Sequence, residues 1–451
     1  MRRVSLRRRA RELGLALGVF LVALAAVWGV RDTRHEQGLF SDEPEWIAIS
    51  ILHWRQLALG EPPAGAELDP PEEAWGTPWR RGVQRTTFGY MNPCLPKLVW
   101  GACLFAAGYR EASPEAFMIF TRGEAQRRRE AQLAMAPAAP LARRVVLVAC
   151  ALSIAAFVLG VRRLVPGLRG WALALLAGAF LVASPLVRGT ATYLRTDWFM
   201  MVPGLFALAW VLARHAALGG AEGASARLRA ALVLGLASGL AVSCKLSGAM
   251  VGLCVAAWAV VAWVAHAPAR DARSFLRGPL AASLVAGLVC ALVFYALDPR
   301  LWSEPVAGVR DILARWDQLL AYFQDELAPR TGVAVARTTS ERLTLFVERS
   351  LGRDDPWRAL TGLPGGALLI ALGAGALAWR ARGLARRDTA AVPAALALAF
   401  CAITVPATAL WIPLDWERFF LTAAPAQALL EASAVLVPLE LVLHRRRAVR
   451  V

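Results

Sequence analysis

The chain has 451 residues, 57% of them hydrophobic, with 50 basic against 33 acidic side chains. Its apolar residues recur in runs of roughly the 20 residues that cross a hydrocarbon core, which excludes a soluble globular fold and defines an all-α, polytopic integral membrane protein. The formal charge of +17 calls for no nucleic acid, because the basic residues fall in short clusters between apolar runs, where they act as topology signals.

An Arg-rich N-terminal segment, 1–12, precedes the first expected span at 13–30. That run is too long for a signal-peptide core and lacks a small-residue cleavage site, so it is expected to remain as an uncleaved helix. A large outer loop, 31–144, follows. In it the pattern predicts an interfacial helix at 44–57 with Trp46 and Trp54, a Pro-rich stretch at 58–79, and a short apolar segment, "LPKLVWGACLFAAGY" at 95–109. The last is too short to span, carries Lys97, and is expected to be re-entrant or interfacial. Region 145–297 should hold the second to seventh spans, at 145–163, 170–187, 198–213, 230–244, 248–265 and 279–297. A second outer segment, 298–361, places Val309, Ile312, Leu313, Trp316, Leu319 and Leu320 at helical spacing, the pattern of an amphipathic helix lying on the membrane or capping a cavity. Region 362–442 adds spans at 362–379, 390–411 and 421–442, giving about ten, and the tail is 443–451.

Arginine sets the orientation. Clusters at Arg7–Arg9, Arg162–Arg163, Arg227–Arg229, Arg270–Arg277, Arg380–Arg387 and Arg445–Arg447 fall at one set of span ends, whereas the short loops at the other ends hold only Arg188, Arg195, Lys245 and Arg418. This bias predicts cytoplasmic termini and outward-facing large loops in a multi-pass plasma (inner) membrane protein. Cys150, Cys244, Cys254, Cys290 and Cys401 lie in apolar runs, where a thiol is a small hydrophobe, and Cys94 with Cys103 makes no disulfide framework.

Three carboxylates, Asp42, Glu43 and Glu45, gather in "GLFSDEPEWIAIS", a dozen residues beyond the first span. Asp42 with Glu45 three residues on fits a capping box. A carboxylate at a membrane surface, beside lipid and cations, also suits general-base work, and one residue can serve both roles. Of the 50 basic residues, all but Lys97 and Lys245 are arginine. Both lysines stand at outer ends of apolar segments, where a compact ammonium either binds a phosphate as a point charge or snorkels to the interface. Arg418, in "PLDWERFFLTAAPAQ", is a third outer cation, beside Asp415 and Glu417. Asp197, at the start of the fourth expected span, is a helix-cap candidate on the same face.

The order of these segments resembles the GT-C glycosyltransferases, particularly glycosyltransferase family 39, the protein O-mannosyltransferases and aminoarabinose transferases. "FSDEPEWIAIS" resembles the Asp-Glu motif of that family's first outer loop, and "MNPCLPKLVWGACLFAAG" its HPPLGKLL-type segment, with Asn92-Pro93-Cys94 where the family has His-Pro-Pro and with Lys97 retained. "SPLVRGTATYLRTDWFMM" is similar to the outer end carrying a second Asp, here Asp197; "GLASGLAVSCKLSGAMVGL" to a Gly-rich span ending in Lys; and "DPRLWSEPVAGVRDILARWDQLLAYFQ" to the start of the late outer loop. The sequence stops just after the last expected span, so the soluble domain appended in some relatives is not expected.

The resemblance implies a GT-C-like bundle that transfers a sugar from a polyisoprenyl-phosphate donor to a protein or glycolipid acceptor on the outer face, with membrane lipids and no nucleic acid as the remaining partners. In that scheme Asp42 is the base and Glu43 orients the acceptor or Asp42. Lys97, Lys245 and Arg418 stabilise the lipid-phosphate leaving group, Asp197 and Asn92 are structural or orient the acceptor, and attack opposite the leaving group inverts the anomeric carbon. Fixed cations make a metal unnecessary, although Asp42, Glu43 and Asp197 are hard oxygen ligands that suit a divalent ion. The competing classes are a transporter or flippase, disfavoured by the absence of a sequence repeat, and a non-catalytic protein that binds lipid-linked sugar.

Overall fold

The structure is a computed structural model and describes residues 2–31, 43–59, 94–112, 130, 133–267, 269–298, 301–302, 305–322, 324–325, 328–412 and 417–448. Asp42 and Asn92 lie outside these residues, as does the Pro-rich stretch at 60–79. Among the described residues the fold is helical and contains no β-strand. The main helices are α1 (Arg2–Val30), α2 (Glu43–Leu59), α3 (Leu95–Ala106), α4 (Ala139–Val161), α5 (Leu168–Ala183), α6 (Asp197–Leu218) and α7 (Ala224–Cys244). They continue with α8 (Ala249–His266), α9 (Ala281–Leu297), α10 (Pro305–Tyr322), α11 (Thr339–Glu348), α12 (Gly366–Ala381), α13 (Val392–Trp411) and α14 (Ala424–Ala448).

Among the described residues, eight helical stretches are long and apolar enough to cross a membrane: 10–30, 133–161, 197–218, 224–244, 246–266, 272–297, 366–386 and 389–411. These correspond to eight of the ten expected spans. Of the other two, 170–187 forms the shorter apolar helix Leu168–Ala183, and 421–442 lies mostly on α14, its apolar helical part covering Leu421–Leu436 among the described residues. The run at 170–187 is cut short by chain chemistry: Ser184 takes extended ψ of 129° and Pro185 starts a separate short helix, Pro185–Thr190. A proline disfavours helical backbone at the residue before it, so the apolar run cannot continue as one rod.

The expected interfacial helix at 44–57 forms as α2, and its first half packs into the bundle. Trp46, Ile47, Ala48, Ile49 and Ile51 are all buried, whereas Ala58 and Leu59 at its end are exposed. Its partner is α3, the short apolar segment, on which Gly101 lies directly against the Ser50 carbonyl of α2. Pro96 opens α3 where its missing N–H costs nothing.

Neighbouring helices pack in two continuous groups. In one, α4 contacts α1, α5 and α6, while α6 contacts α7 and α7 contacts α9. In the other, α14 packs on α12 and on α5, and α13 on α12 and α8. The contacts of α6 with α8 and α13 join the groups into one bundle. Small residues bring the backbones together, as expected where lipid removes the hydrophobic incentive for helices to associate. A Cβ on Gly239 of α7 would stand 2.6 Å from Val293 Cβ of α9, and one on Gly373 of α12 would meet the Leu430 carbonyl of α14.

At one end of the bundle Arg270 donates at 3.5 Å to the carbonyls of Leu384 and Ala385, so the 270 and 380 arginine clusters share a face, as the charge pattern predicts. The second outer segment forms α10 and α11. The latter starts with a capping box: Thr338 Oγ1 accepts from the Glu341 N–H at 3.2 Å, and Glu341 Oε2 accepts from the Thr338 and Arg337 N–H groups at 2.8 and 2.7 Å. Those backbone donors hold the Glu341 carboxyl below its usual range.

The α12–α14 contact supplies a direct check of this packing. Gly373→Ala should destabilise the detergent-solubilised protein by about 1–3 kcal/mol, the typical overpacking cost. Gly375→Ala, with nothing within 4 Å of its Cβ position, should leave the thermal midpoint unchanged or slightly raised. Equal midpoints for the two variants would contradict the helix contact.

Candidate functional site

The site is assembled at the ends of α2, α3, α4, α6 and α7 on one side of the bundle. α2 begins at Glu43, so Asp42 holds the sequence position immediately before the helix. The Glu43 carboxylate accepts two N–H groups from Arg143 of α4, Nε to Oε1 at 3.0 Å and Nη2 to Oε2 at 2.5 Å. Their side chains are only 1% and 10% exposed, so this is a buried, bidentate ion pair.

Next to Arg143, the Ala142 carbonyl accepts from Trp100 Nε1–H of α3 at 3.2 Å. The fully buried Lys97 lies one turn before Trp100 on the same helix. The Trp100 ring meets Trp46 of α2 at 5.8 Å between centroids and, edge to face, Phe199 of α6 at 4.9 Å. Phe199 follows Asp197, which stands in the first turn of α6 after Thr196 and receives a hydrogen bond and ion pair from the Lys245 ammonium. Both charges suit their ends of the helices: an acid at the positive N-terminus of α6, and a cation just past the negative C-terminus of α7. At Lys245 the backbone turns extended, φ −161° and ψ 138°, which swings the side chain out of the helical path.

The Lys245 ammonium also lies 5.7 Å from the centre of the Phe419 ring, a cation–π contact. Phe419 belongs to the short helix Glu417–Phe420, which carries Arg418 beside it. The Arg418 side chain lies outside the described residues. Contacts and short stretches of chain thus link Glu43 and Arg143, the Trp100 helix that bears Lys97, and Phe199 to the Asp197–Lys245 pair and Phe419.

Four of the seven sequence-predicted positions, Glu43, Lys97, Asp197 and Lys245, thus fall on one connected cluster. Asp197, expected as a helix cap, stands in the first turn of α6 and pairs with Lys245, which the end of α7 delivers directly to it. Arg143 is the participant that sequence reasoning missed. Its signal was an arginine at the head of the second span, on the end opposite the arginine-rich clusters. Among the described residues no three His, Cys, Asp or Glu side chains converge on a common metal position.

A small open-mouthed pocket lies between α6, α8 and α13, lined by residues that follow Asp197 and Lys245 in the sequence. Met200, Met201, Met250, Trp258 and Phe400 make it apolar, while Ser247, Thr404 and Thr422 add hydroxyls. Unbranched Met side chains re-pack easily around a flexible apolar guest.

No family model matches the sequence, and no curated protein matches it. The fold itself is found among solved structures, where it resembles part of an archaeal oligosaccharyltransferase. The archaeal oligosaccharyltransferase AglB from Archaeoglobus fulgidus, in complex with an inhibitory peptide and a dolichol-phosphate, aligns over 96% of this chain with a TM-score of 0.50 and 15% identity. The Archaeoglobus fulgidus enzyme tethered to an acceptor peptide containing the NVT sequon aligns over 94% with a TM-score of 0.51, also at 15% identity. The chain spans about half the length of these proteins, 51% and 50%.

The Glu43–Arg143 pair gives the site its own test. Arg143→Ala removes the bidentate partner of a buried carboxylate and should cost about 3–5 kcal/mol, whereas an apolar pair replacing both residues restores much of that loss. Thermal unfolding of Arg143→Ala and of the Glu43→Leu/Arg143→Met double variant measures the difference. A single variant as stable as the parent would contradict the buried pairing.

Proposed function

We propose that the protein is a membrane glycosyltransferase that moves a sugar from a polyisoprenyl-phosphate donor to a protein or glycolipid acceptor at the outer face of the membrane. The observation that carries this reading is the connected cluster of Glu43, Lys97, Asp197 and Lys245, set in a fold shared with oligosaccharyltransferases. One of those structures holds a dolichol-phosphate and another an acceptor peptide, which supports a lipid-linked donor and a peptide-like acceptor here. The arginine bias supports cytoplasmic termini and an outward-facing site.

In the proposed reaction the isoprenoid tail lies among apolar helices while the phosphosugar reaches the charged cluster. The acceptor nucleophile attacks the anomeric carbon as the bond from that carbon to the phosphate oxygen breaks, and the electron pair leaves with the lipid phosphate. Asp42, immediately before the start of α2, takes the nucleophile's proton. Glu43, held by Arg143, fixes the direction of that segment and so orients Asp42. Lys97, Lys245 and Arg418 meet the growing negative charge on the leaving phosphate, and the ammonium of Lys245 is itself aimed by Asp197. Asn92 would orient the acceptor.

Asp42 is the residue to change. Asp42→Asn keeps a good N-cap but removes the proton acceptor, so it should fold and insert normally while sugar transfer at saturating donor falls at least ~100-fold, the lower range of general-base assistance. Asp42→Ala should be equally inactive. Near-normal transfer by a folded Asn variant would remove Asp42 from the mechanism.

A further inference from the structure

A second group of charged and polar side chains lies away from the cluster just described, where the end of the second outer segment meets α14. Asp355 precedes the short helix Pro356–Thr361 and accepts the Trp357 N–H through Oδ1 at 3.1 Å. Its other oxygen, Oδ2, has no hydrogen-bond partner among the described residues. The Asp355 carboxyl lies against that of Glu431 on α14. Both residues are essentially inaccessible, 1% and 0% exposed; the Glu431 carboxyl looks onto the Asp355 carboxyl and the Trp357 backbone N–H, and neither of its oxygens makes a hydrogen bond of full geometry among the described residues.

One turn earlier on α14, Gln427 donates through Nε2 to the Ser350 carbonyl at 3.1 Å. Gln427 Oε1 and Ser350 Oγ are likewise buried and without partners among the described residues. Gln427 and Glu431, four residues apart, share one face of the helix. Gly366, at the start of α12, borders the Asp355 carboxylate so closely that any side chain there would collide with both of its oxygens. The nearby cation Arg349 is turned to Asp354, which accepts from it at 2.9 Å, and to the Phe420 ring at 5.4 Å.

Two adjacent carboxyls in an apolar bundle need positive charge between them, because an uncompensated buried carboxylate is among the costliest groups a protein can hold. Every candidate donor atom here is oxygen: two carboxylates, an amide carbonyl and a hydroxyl. That set matches a hard cation, and the mixture of charged and neutral protein oxygens in a dry site favours Ca²⁺, which accepts six to eight ligands in flexible geometry, over Mg²⁺, which keeps its waters. We propose that Asp355, Glu431, Gln427 and Ser350 form a site for Ca²⁺ that clasps segment 349–356 to α14. Since that segment joins α11, whose Phe346 stacks on Phe420, to the short helix Pro356–Thr361, bound Ca²⁺ would hold α11 in place on the bundle. The competing occupant of the same space is a single proton shared between Asp355 and Glu431.

Ca²⁺ itself is the probe, applied to the full chain in detergent after removal of metals with EDTA and without any lipid donor. The proposal expects about one radioactive Ca²⁺ bound per chain and a thermal midpoint that rises with CaCl₂. It also expects Glu431→Gln, a neutral change of nearly equal shape, to weaken binding at least about tenfold. Asp42→Asn should bind Ca²⁺ as the parent does, which separates this site from any divalent ion held at the proposed transfer site. An EDTA-treated parent that binds no Ca²⁺, or whose midpoint responds to pH but not to CaCl₂, would overturn the proposal in favour of the shared proton. Binding undiminished in Glu431→Gln but lost in Asp42→Asn would overturn it by moving the ion to the transfer site.

Discussion

A charge placed inside an apolar bundle must be met by an opposite charge, and the architecture follows from how this chain satisfies that rule. Glu43 and Asp197 are both buried at helix starts, and each is held by a cation from a helix distant in sequence, Arg143 and Lys245. Each pair therefore fixes the relative position of two helices at the same side of the bundle. Neither pair need add much net stability, since desolvation offsets most of the attraction, but losing one partner would leave a costly lone charge. The pairs specify arrangement more than they supply energy.

Between the two pairs stands Trp100. Its indole N–H is bound to the α4 backbone beside Arg143, and its ring edge rests on Phe199 beside Asp197. The short helix α3, held tightly to α2 at Gly101, thus carries Lys97 into a frame already set by the ion pairs. Acidic and basic groups meet on the rigid ends of helices, where fixed cations suit the charged phosphate of the proposed donor.

Much of this was legible in the sequence because membrane folding imposes strong, simple patterns. Apolar run lengths located the eight long helices, and the concentration of arginine at one set of ends anticipated the face shared by Arg270 and the 384–385 carbonyls. The rarity of lysine marked Lys97 and Lys245, both of which fall on the connected cluster. What periodicity could not supply was partnership across long sequence separations. Nothing local joins Glu43 to Arg143, 100 residues away, or Asp197 to Lys245, 48 residues away. The burial of the first half of α2 is not readable from Trp46 and Trp54, which fit an interfacial helix equally well. The run at 170–187 is apolar enough to read as one span, and only the Ser184-Pro185 pair marks where the rod ends.

The account rests most heavily on a polyisoprenyl phosphate being the molecule that occupies this site, so the lipids that copurify with the protein in mild detergent are the decisive observation. Mass spectrometry should find an isoprenoid phosphate or its glycoside bound to the parent protein, and markedly less of it on folded Lys97→Ala and Lys245→Ala variants. A parent protein carrying only bulk phospholipid, even when purified from membranes enriched in the isoprenoid phosphate, would contradict the account.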